Sequence, residues 1–380
     1  MGLVVTYLDA AATTRVDPRV ANVVLHWMTE DFGNAGSRTH EYGTRAKRAV
    51  QQARDYLAGT FRAEPDELIF TSGATESNNI AILGLAPYGE HSGRRHIISS
   101  AIEHKAVLEP LEHLHKRGFE VDLIKPGPSG RVAAEAVLER LRPDTLLVSL
   151  MHVNNETGVI QPVSELAEHL RQTPTFFHVD AAQGYGKVPA DLTAPIDLIS
   201  ASGHKIGAPK GVGMLVTRRR KKRLPLEPIM FGGGQERKLR PGTLPVPSIM
   251  GLCEAVQIFE KEHAQWVAGA ERIRARLLEA FSKTRFRVNG DPENCVPHIL
   301  NVSFDDVDAE ALIVRLKDQI AVATGSACTS ASYTSSHVLA AMGLSESEAE
   351  NGLRLSWFPS QADKLDVEEL TEVIAQMQRR

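Results

Sequence analysis

A chain of 380 residues, 42 % apolar and 24 % charged, is long enough for a large domain plus a smaller one and has the composition of an ordinary globular protein. Its 43 basic and 47 acidic side chains leave a formal charge of -4, which favours neither nucleic acid nor a membrane surface as a partner. The opening residues lack a basic n-region and no stretch approaches the roughly 20 apolar residues of a bilayer span, so a cytoplasmic protein without membrane contact is expected. The three cysteines, Cys253, Cys295 and Cys328, form no C-x-x-C pair, which disfavours a disulfide framework and a structural zinc site; no metal is expected.

In chain order, Asp17 and Pro18 supply an N-cap and a first helical position. Val20, Val23, Val24, Trp27 and Met28 then recur at helical spacing. A second amphipathic helix carries Ala46, Ala49, Val50, Ala53 and Leu57 on one face. Beyond it the short apolar runs "ELIFTS", "RHIISS", "EVDLIK", "TLLVSLMHV", "TFFHVDAAQ", "DLISAS" and "GVGMLVT" alternate with helical patterns. That alternation predicts an α/β fold with a large, mainly parallel sheet covered on both faces, which gathers ligands at the carboxyl ends of its strands. A long helix follows the prolines of "GTLPVPSIMGLCEAV". Then "LNVSF", "DAEALIVRLKD", "IAVATGSAC" and "LRLSW" read as a small α+β unit closed by a helix near residues 367–377. With a boundary near residue 257, the large domain covers residues 14–257 and the small one residues 1–13 and 258–380.

Four polar clusters sit where apolar runs end. In "FTSGATESNN" a strand stops at Thr71, Gly73 permits a tight turn, and Ala74 and Thr75 open a helix whose free amides and dipole suit a phosphate. Asp180 ends the run "FHVD", where a carboxylate is costly unless a cation meets it. Ser202, His204 and Lys205 follow "DLISAS", and a lysine held at a packed turn beside a cleft suits Schiff-base chemistry. Cys328 lies in "ATGSACTSAS", among small polar residues with no apolar period to bury it, whereas Cys253 in "IMGLCEAV" reads as core. Taken singly, each cluster also has a plain reading: a capped turn, a solvated lysine, an inert thiol. Together, an amine, a carboxylate for a ring nitrogen and a phosphate cradle are what pyridoxal 5'-phosphate requires.

The motifs "YLDAAATT", "FTSGATESNN", "EHKAV", "HVNNETG", "HVDAAQ", "SGHK", "GGGQERKLRPGT" and "GSACTSAS", in this order, resemble the cysteine desulfurases, pyridoxal-phosphate enzymes of the aminotransferase fold (fold type I). The long serine-rich "SACTSAS" loop is similar to that of group I. The resemblance implies that Lys205 carries the cofactor and moves the Cα proton, that Asp180 keeps the pyridinium protonated, and that Gln183 bonds the ring hydroxyl. His104 would stack on the ring, and Ala74, Thr75, Ser202 and His204 would hold the phosphate. Thr243 would reach the phosphate of the other subunit of a homodimer. Asn155 and Arg354, with Asn34, would bind the carboxylate of L-cysteine. Cys328 would take the substrate sulfur as a persulfide, leaving L-alanine, and pass it to a sulfur-acceptor protein.

Three departures from the family pattern bear on these roles: Ala35-Gly36 after Asn34, Pro241 before Thr243, and Trp357-Phe358-Pro359 after Arg354, expected to reshape the entrance. Within group I the chain is most similar to the desulfurases of bacterial DNA phosphorothioate modification, which route sulfur through an iron-sulfur protein; a role in iron-sulfur cluster assembly and a selenocysteine lyase are the alternatives. An ordinary aminotransferase would share Lys205 and Asp180 but has no use for Cys328. The run 218–223, "RRRKKR", reads as a solvated or docking segment rather than a direct DNA contact.

Overall fold

The computed structural model describes residues 5–188, 190–220, 222–324, 335–358 and 367–378. The described chain enters through a two-residue strand, β1 (Thr6–Tyr7). It then builds a seven-stranded sheet from β2 (Leu68–Thr71), β3 (His96–Ser100), β4 (Glu120–Ile124), β5 (Thr145–Met151), β6 (Phe176–Asp180), β7 (Leu198–Ser202) and β8 (Gly213–Thr217). Their spatial order is β2-β8-β7-β6-β5-β3-β4. The five strands from β7 to β4 run parallel, whereas β8 is antiparallel to both of its neighbours, β7 and β2.

Between and after these strands lie α1 (Pro18–Thr29), α2 (Glu41–Thr60), α3 (Ala74–Ser92), α4 (Lys105–Lys116), α5 (Ala134–Leu138), α6 (Val163–Leu170) and α7 (Val246–Phe281). The near-continuous apolar strands are explained by two covered faces. Ile69, Ile97, Leu147, Leu198 and Leu215 bury one face with α3 and α4. Their neighbours Phe70, Ile98, Val148, Ile199 and Val216 bury the other against α2, α6 and α7. Asp17 caps α1 as its sequence suggests, its carboxylate accepting the Arg19 N–H. The apolar stripe of that helix is narrower than its spacing predicts, because Met28 is exposed.

Helix α7 is continuous over 36 residues and crosses residue 257 without a break. Its first part, through Trp266, packs into the core beneath the large sheet. From Ala270 onward it packs into a second core with Leu300, Leu353 and Leu8. That second core is covered by a four-stranded antiparallel sheet of β9 (Phe286–Val288), β10 (Ile299–Phe304), β12 (Ala323–Thr324) and β13 (Gly352–Ser356), in the order β12-β13-β10-β9. Strand β11 (Ile320–Ala321) pairs in parallel with β1 and ties the chain's beginning to this unit. The last described helix, Val367–Gln378, contributes Leu370 and Ile374 to the same core. No described helix is long and apolar enough to cross a membrane.

Candidate active site

The carboxyl ends of β2, β6 and β7 open into one cavity of about 960 Å³ between the two sheets. Lys205 reaches it from a single 3-10 turn, Gly203–Lys205, that directly follows β7. That turn is stitched to the segment before α1. The His204 carbonyl accepts from Thr14 N and Thr14 Oγ1, at 2.9 and 3.0 Å, and Gly207 N donates to Thr14 Oγ1 at 2.9 Å. The amine itself donates to the carbonyls of Ala11 and Ala12, at 2.5 and 2.8 Å. A flexible side chain is thereby held across the cavity rather than left in solvent.

Asp180 ends β6 and is buried, and its hydrogen-bond partners among the described residues are neutral donors. Asn78 Nδ2, one turn into α3, donates to one carboxylate oxygen at 2.7 Å, and the Ala182 N–H donates to the other at 2.9 Å. Two neutral donors suffice to keep a carboxylate in place at the cavity floor. Gln183 lines the same wall, its Nε2 on the Ala11 carbonyl at 2.7 Å.

One end of the cavity lies at the start of α3. Gly73 (φ +154°) precedes the helix and no side chain caps it, so the first-turn amides at Ala74 and Thr75 face the cavity without an intrahelical partner. Ser202 and His204 form the opposite wall. Gly213 sits between them, paired with Thr71 on one side and Ser202 on the other. A Cβ there would come within 2.5 Å of the Ala201 carbonyl oxygen and 2.6 Å of Gly73 Cα, so the close approach of the two walls requires glycine.

His104 caps α4, its Nδ1 accepting the Ala106 N–H at 3.1 Å. The neutral ring therefore carries its proton on Nε2. Burial lowers its pKa, opposed by the Asp180 charge and reinforced by Lys205 and His337. Burial, with Lys205, Lys210 and Lys187 adding, brings His204 down to about 4. Both imidazoles are neutral near pH 7.

Arg354, on β13 and fully buried, lines the far side of the cavity. Its Nη2 donates to Asp9 at 2.7 Å and its Nη1 to the Asn155 carbonyl at 3.2 Å. Asn155 is beside it in a turn organised by Asn154, whose Oδ1 accepts the N–H groups of Glu156 and Thr157, both at 2.9 Å.

Asn34 and Thr243 do not join the cavity; both are exposed. Thr243 closes a loop that begins with Gly232 and Gly233 and passes through Glu236, Arg237 and Lys238, three successive residues at positive φ. Buried Glu236 clamps that loop to Arg54, at 2.5 and 2.9 Å, and to the Phe70 N–H at 2.7 Å. Trp357 does not shape the entrance. It is fully buried in the second core, its Nε1 donating to the Ala270 carbonyl, while Phe358 packs on Phe259 and Trp266. Cys328 lies outside the described residues. Its described flanks are Thr324 on β12, the strand that pairs beside Arg354, and Ser335, which lines the cavity.

Asp9, Asn78 and the carbonyls of Ala11 and Ala12 were not singled out from sequence, though Asp9 stands as a carboxylate in an apolar segment and Asn78 lies one turn beyond Thr75. Among the described residues no group of three or more His, Cys, Asp or Glu side chains could hold a metal ion. The arginines of the 218–223 run are engaged within the chain. Arg218 donates to the Ala194, Phe61 and Leu192 carbonyls, Arg220 pairs with buried Asp197 at 2.6 Å, and Arg219 and Arg223 meet Asp66. Of the described residues of the run, Arg218 is half-buried while Arg219, Arg220, Lys222 and Arg223 remain exposed.

The model of the class V aminotransferase family matches residues 6–370, nearly the whole chain. The chain belongs to the class V aminotransferases. It is 47 % identical to the cysteine desulfurase IscS of Serratia proteamaculans (strain 568) over 354 residues, 92 % of this chain and 87 % of that protein. Among solved structures, DndA from Streptomyces lividans is 72 % identical with a TM-score of 0.83, covering 93 % of this chain and 99 % of that one. A NifS-like protein is 34 % identical with a TM-score of 0.90 over 99 % of this chain and 100 % of that one. Class V aminotransferases use pyridoxal phosphate, and the cavity fits it: an uncapped helix start for the phosphate, a carboxylate at the floor, and a tethered amine across from it.

Proposed function

We propose that the chain is a pyridoxal-phosphate-dependent cysteine desulfurase that converts L-cysteine to L-alanine and stores the sulfur as a persulfide on Cys328. The observation that carries this is the convergence of Lys205, Asp180, the open start of α3 and buried Arg354 on one cavity. Pyridoxal phosphate, when bound, supplies an aldehyde and an electron sink for the pair left by the departing Cα proton.

The chain's own residues do the rest. Lys205 would provide the amine for that aldehyde and hold the Cα proton on Nζ. Asp180 holds a positive charge at the ring nitrogen, kept in place by Asn78 and the Ala182 amide. The amides at Ala74 and Thr75, with Ser202 and His204, bind the phosphate. Gln183 would hold the ring's oxygen, and His104, which lines the same cavity, would offer its Nε2 proton for transfer. Arg354 receives the substrate carboxylate in a two-point contact, assisted by Asn155. The Cys328 thiolate would attack the substrate sulfur, the Cβ–S bond would break with its pair left on Cβ, and protons given to Cβ and, from Lys205, back to Cα would yield alanine.

Exposed Thr243, on its clamped loop, is assigned to the phosphate of a second subunit, so the working enzyme is a homodimer with shared sites, and Asn34 supports the substrate there. The likeness to DndA favours a cytoplasmic role in DNA phosphorothioate modification, with an iron-sulfur protein as sulfur acceptor, over general iron-sulfur cluster assembly. Incubation with pyridoxal phosphate, L-cysteine and a reductant should yield alanine and sulfide in equal amounts, and almost none from Cys328→Ser. A mutant as productive as the native chain, or pyruvate in place of alanine, would remove Cys328 from the mechanism.

A further inference from the structure

Lys187 is 7 % exposed, yet among the described residues it has no carboxylate partner. Its ammonium meets the Gln183 carboxamide oxygen at 3.5 Å, the long limit of a hydrogen bond. It sits in the turn after β6, four residues beyond Gln183, where Gly186 (φ +76°) bends the chain back toward α7. The charged groups around it are cations or imidazoles. Lys205 faces it electrostatically, His263 on α7 binds its carbonyl at 3.1 Å, and its own charge acts on His298 and His204. Burial, with Lys205 adding, pushes Lys187 down to about 7. A buried amine without a counter-ion is costly, and a satisfied core would replace it with an apolar side chain.

What the amine does is legible from its neighbour. A carboxamide has an accepting end and a donating end, and which way it points follows from its partners. Oε1 can only accept, so Lys187 donates to it in either protonation state. The Ala11 carbonyl can only accept, so it holds Nε2, at 2.7 Å. The same carbonyl takes the Lys205 amine, which gives an unbroken chain Lys187–Gln183–Ala11–Lys205 along the cavity wall. The second N–H of Gln183 is left to the cavity.

We propose that Lys187 is a positioning residue of the active site: it fixes the Gln183 carboxamide so that this wall donates to, and never accepts from, the ring oxygen of the bound cofactor. The inference rests on the pyridoxal-phosphate reading above and goes one layer behind it. With Lys187 removed, only the Ala11 carbonyl orients the amide.

The test is a spectrophotometric pH titration of the cofactor-loaded protein for the native chain, Lys187→Met, Lys187→Arg, Gln183→Ala and the double variant Lys187→Met/Gln183→Ala. Thermal unfolding of the cofactor-free forms is measured alongside. Lys187→Met should move the midpoint of the visible band by at least about half a pH unit, in the same direction as Gln183→Ala. The double variant should move it no further than Gln183→Ala alone, because one residue acts through the other. Lys187→Arg, which keeps the donor, should return it toward the native value. The cofactor-free Lys187→Met protein should melt at the native temperature or above. An unmoved midpoint in Lys187→Met, shifts that add in the double variant, or a midpoint change that simply follows a lower melting temperature would overturn the proposal. A native chain that takes up no cofactor would overturn the underlying reading as well, and is recognised by the absence of any visible band.

Discussion

Gly213→Ala tests whether the two walls of the proposed phosphate cradle depend on one missing methyl group. Gly213 lies between Thr71 at the end of β2 and Ser202 at the end of β7, and its Cβ would sit 2.5 Å from the Ala201 oxygen and 2.6 Å from Gly73 Cα. Both contacts are backbone, which cannot swing aside as a side chain can. Restoring an ordinary 3.4 Å contact requires the walls to part by about 0.8–0.9 Å. A phosphate bridging from the α3 amides to Ser202 at normal hydrogen-bond length would then be stretched past about 3.5 Å on one side and lose that bond. A hydrogen bond to a charged group is worth about 1.5–3 kcal/mol, so pyridoxal phosphate should bind about ten to one hundred times more weakly. Overpacking should also cost about 1–3 kcal/mol of stability. Equilibrium dialysis of the cofactor-free protein against pyridoxal phosphate, with thermal unfolding in parallel, measures both. Gly59→Ala is the control: it lies in α2 with nothing within 4 Å of an added Cβ, and should leave cofactor affinity unchanged. If Gly213→Ala binds the cofactor as tightly as the native chain and melts at the same temperature, the cradle does not depend on this approach and its assignment fails.

Asp180→Asn keeps the size of the side chain but removes the charge held by Asn78 and Ala182; turnover should drop by about 100- to 1,000-fold with little change in melting temperature, measured by alanine formation. His178, wedged between the hydroxyls of Ser149 and Ser200, is lowered by burial to about 4, while unfolded histidine titrates near 6.5. Its contribution is therefore complete above about pH 6.5 and is lost as pH falls toward 4, a change of roughly 3 kcal/mol. Denaturation midpoints across this window should fall more steeply for the native chain than for His178→Gln, and equal slopes would count against the assignment. Arg220→Ala leaves Asp197 buried without its cation and should cost about 3–5 kcal/mol in denaturant unfolding, whereas exposed Lys222→Ala should stay within about 0.5 kcal/mol. Neither substitution should alter retention on duplex DNA at low salt; loss of a strong native retention in Lys222→Ala would reinstate the run as a DNA contact.

The sequence by itself determined the alternation of strands and helices, the cap of α1, the start of α3 after Gly73, and the polar residues at strand ends. These follow from local rules: apolar period, glycine at a positive φ, and side chains that cap a helix. The pairing of Lys205, Asp180 and the α3 turn was legible because a parallel sheet brings the carboxyl ends of its strands together. What local pattern does not encode is partnership across distance. The Asp9–Arg354 pair joins residues 345 positions apart, and Asn78 meets Asp180 across 102. The neutral amide that holds the Asp180 carboxylate is therefore one that no local pattern announces. The change of cores inside α7 escaped for the same reason, since one uninterrupted helical period serves both cores and only their three-dimensional placement divides it. The arginines 218–220 look like a solvated charge run in one dimension. In three, Arg218 and Arg220 reach carbonyls and the buried Asp197 carboxylate, so part of that charge is engaged within the fold while Arg219 and Arg220 stay exposed.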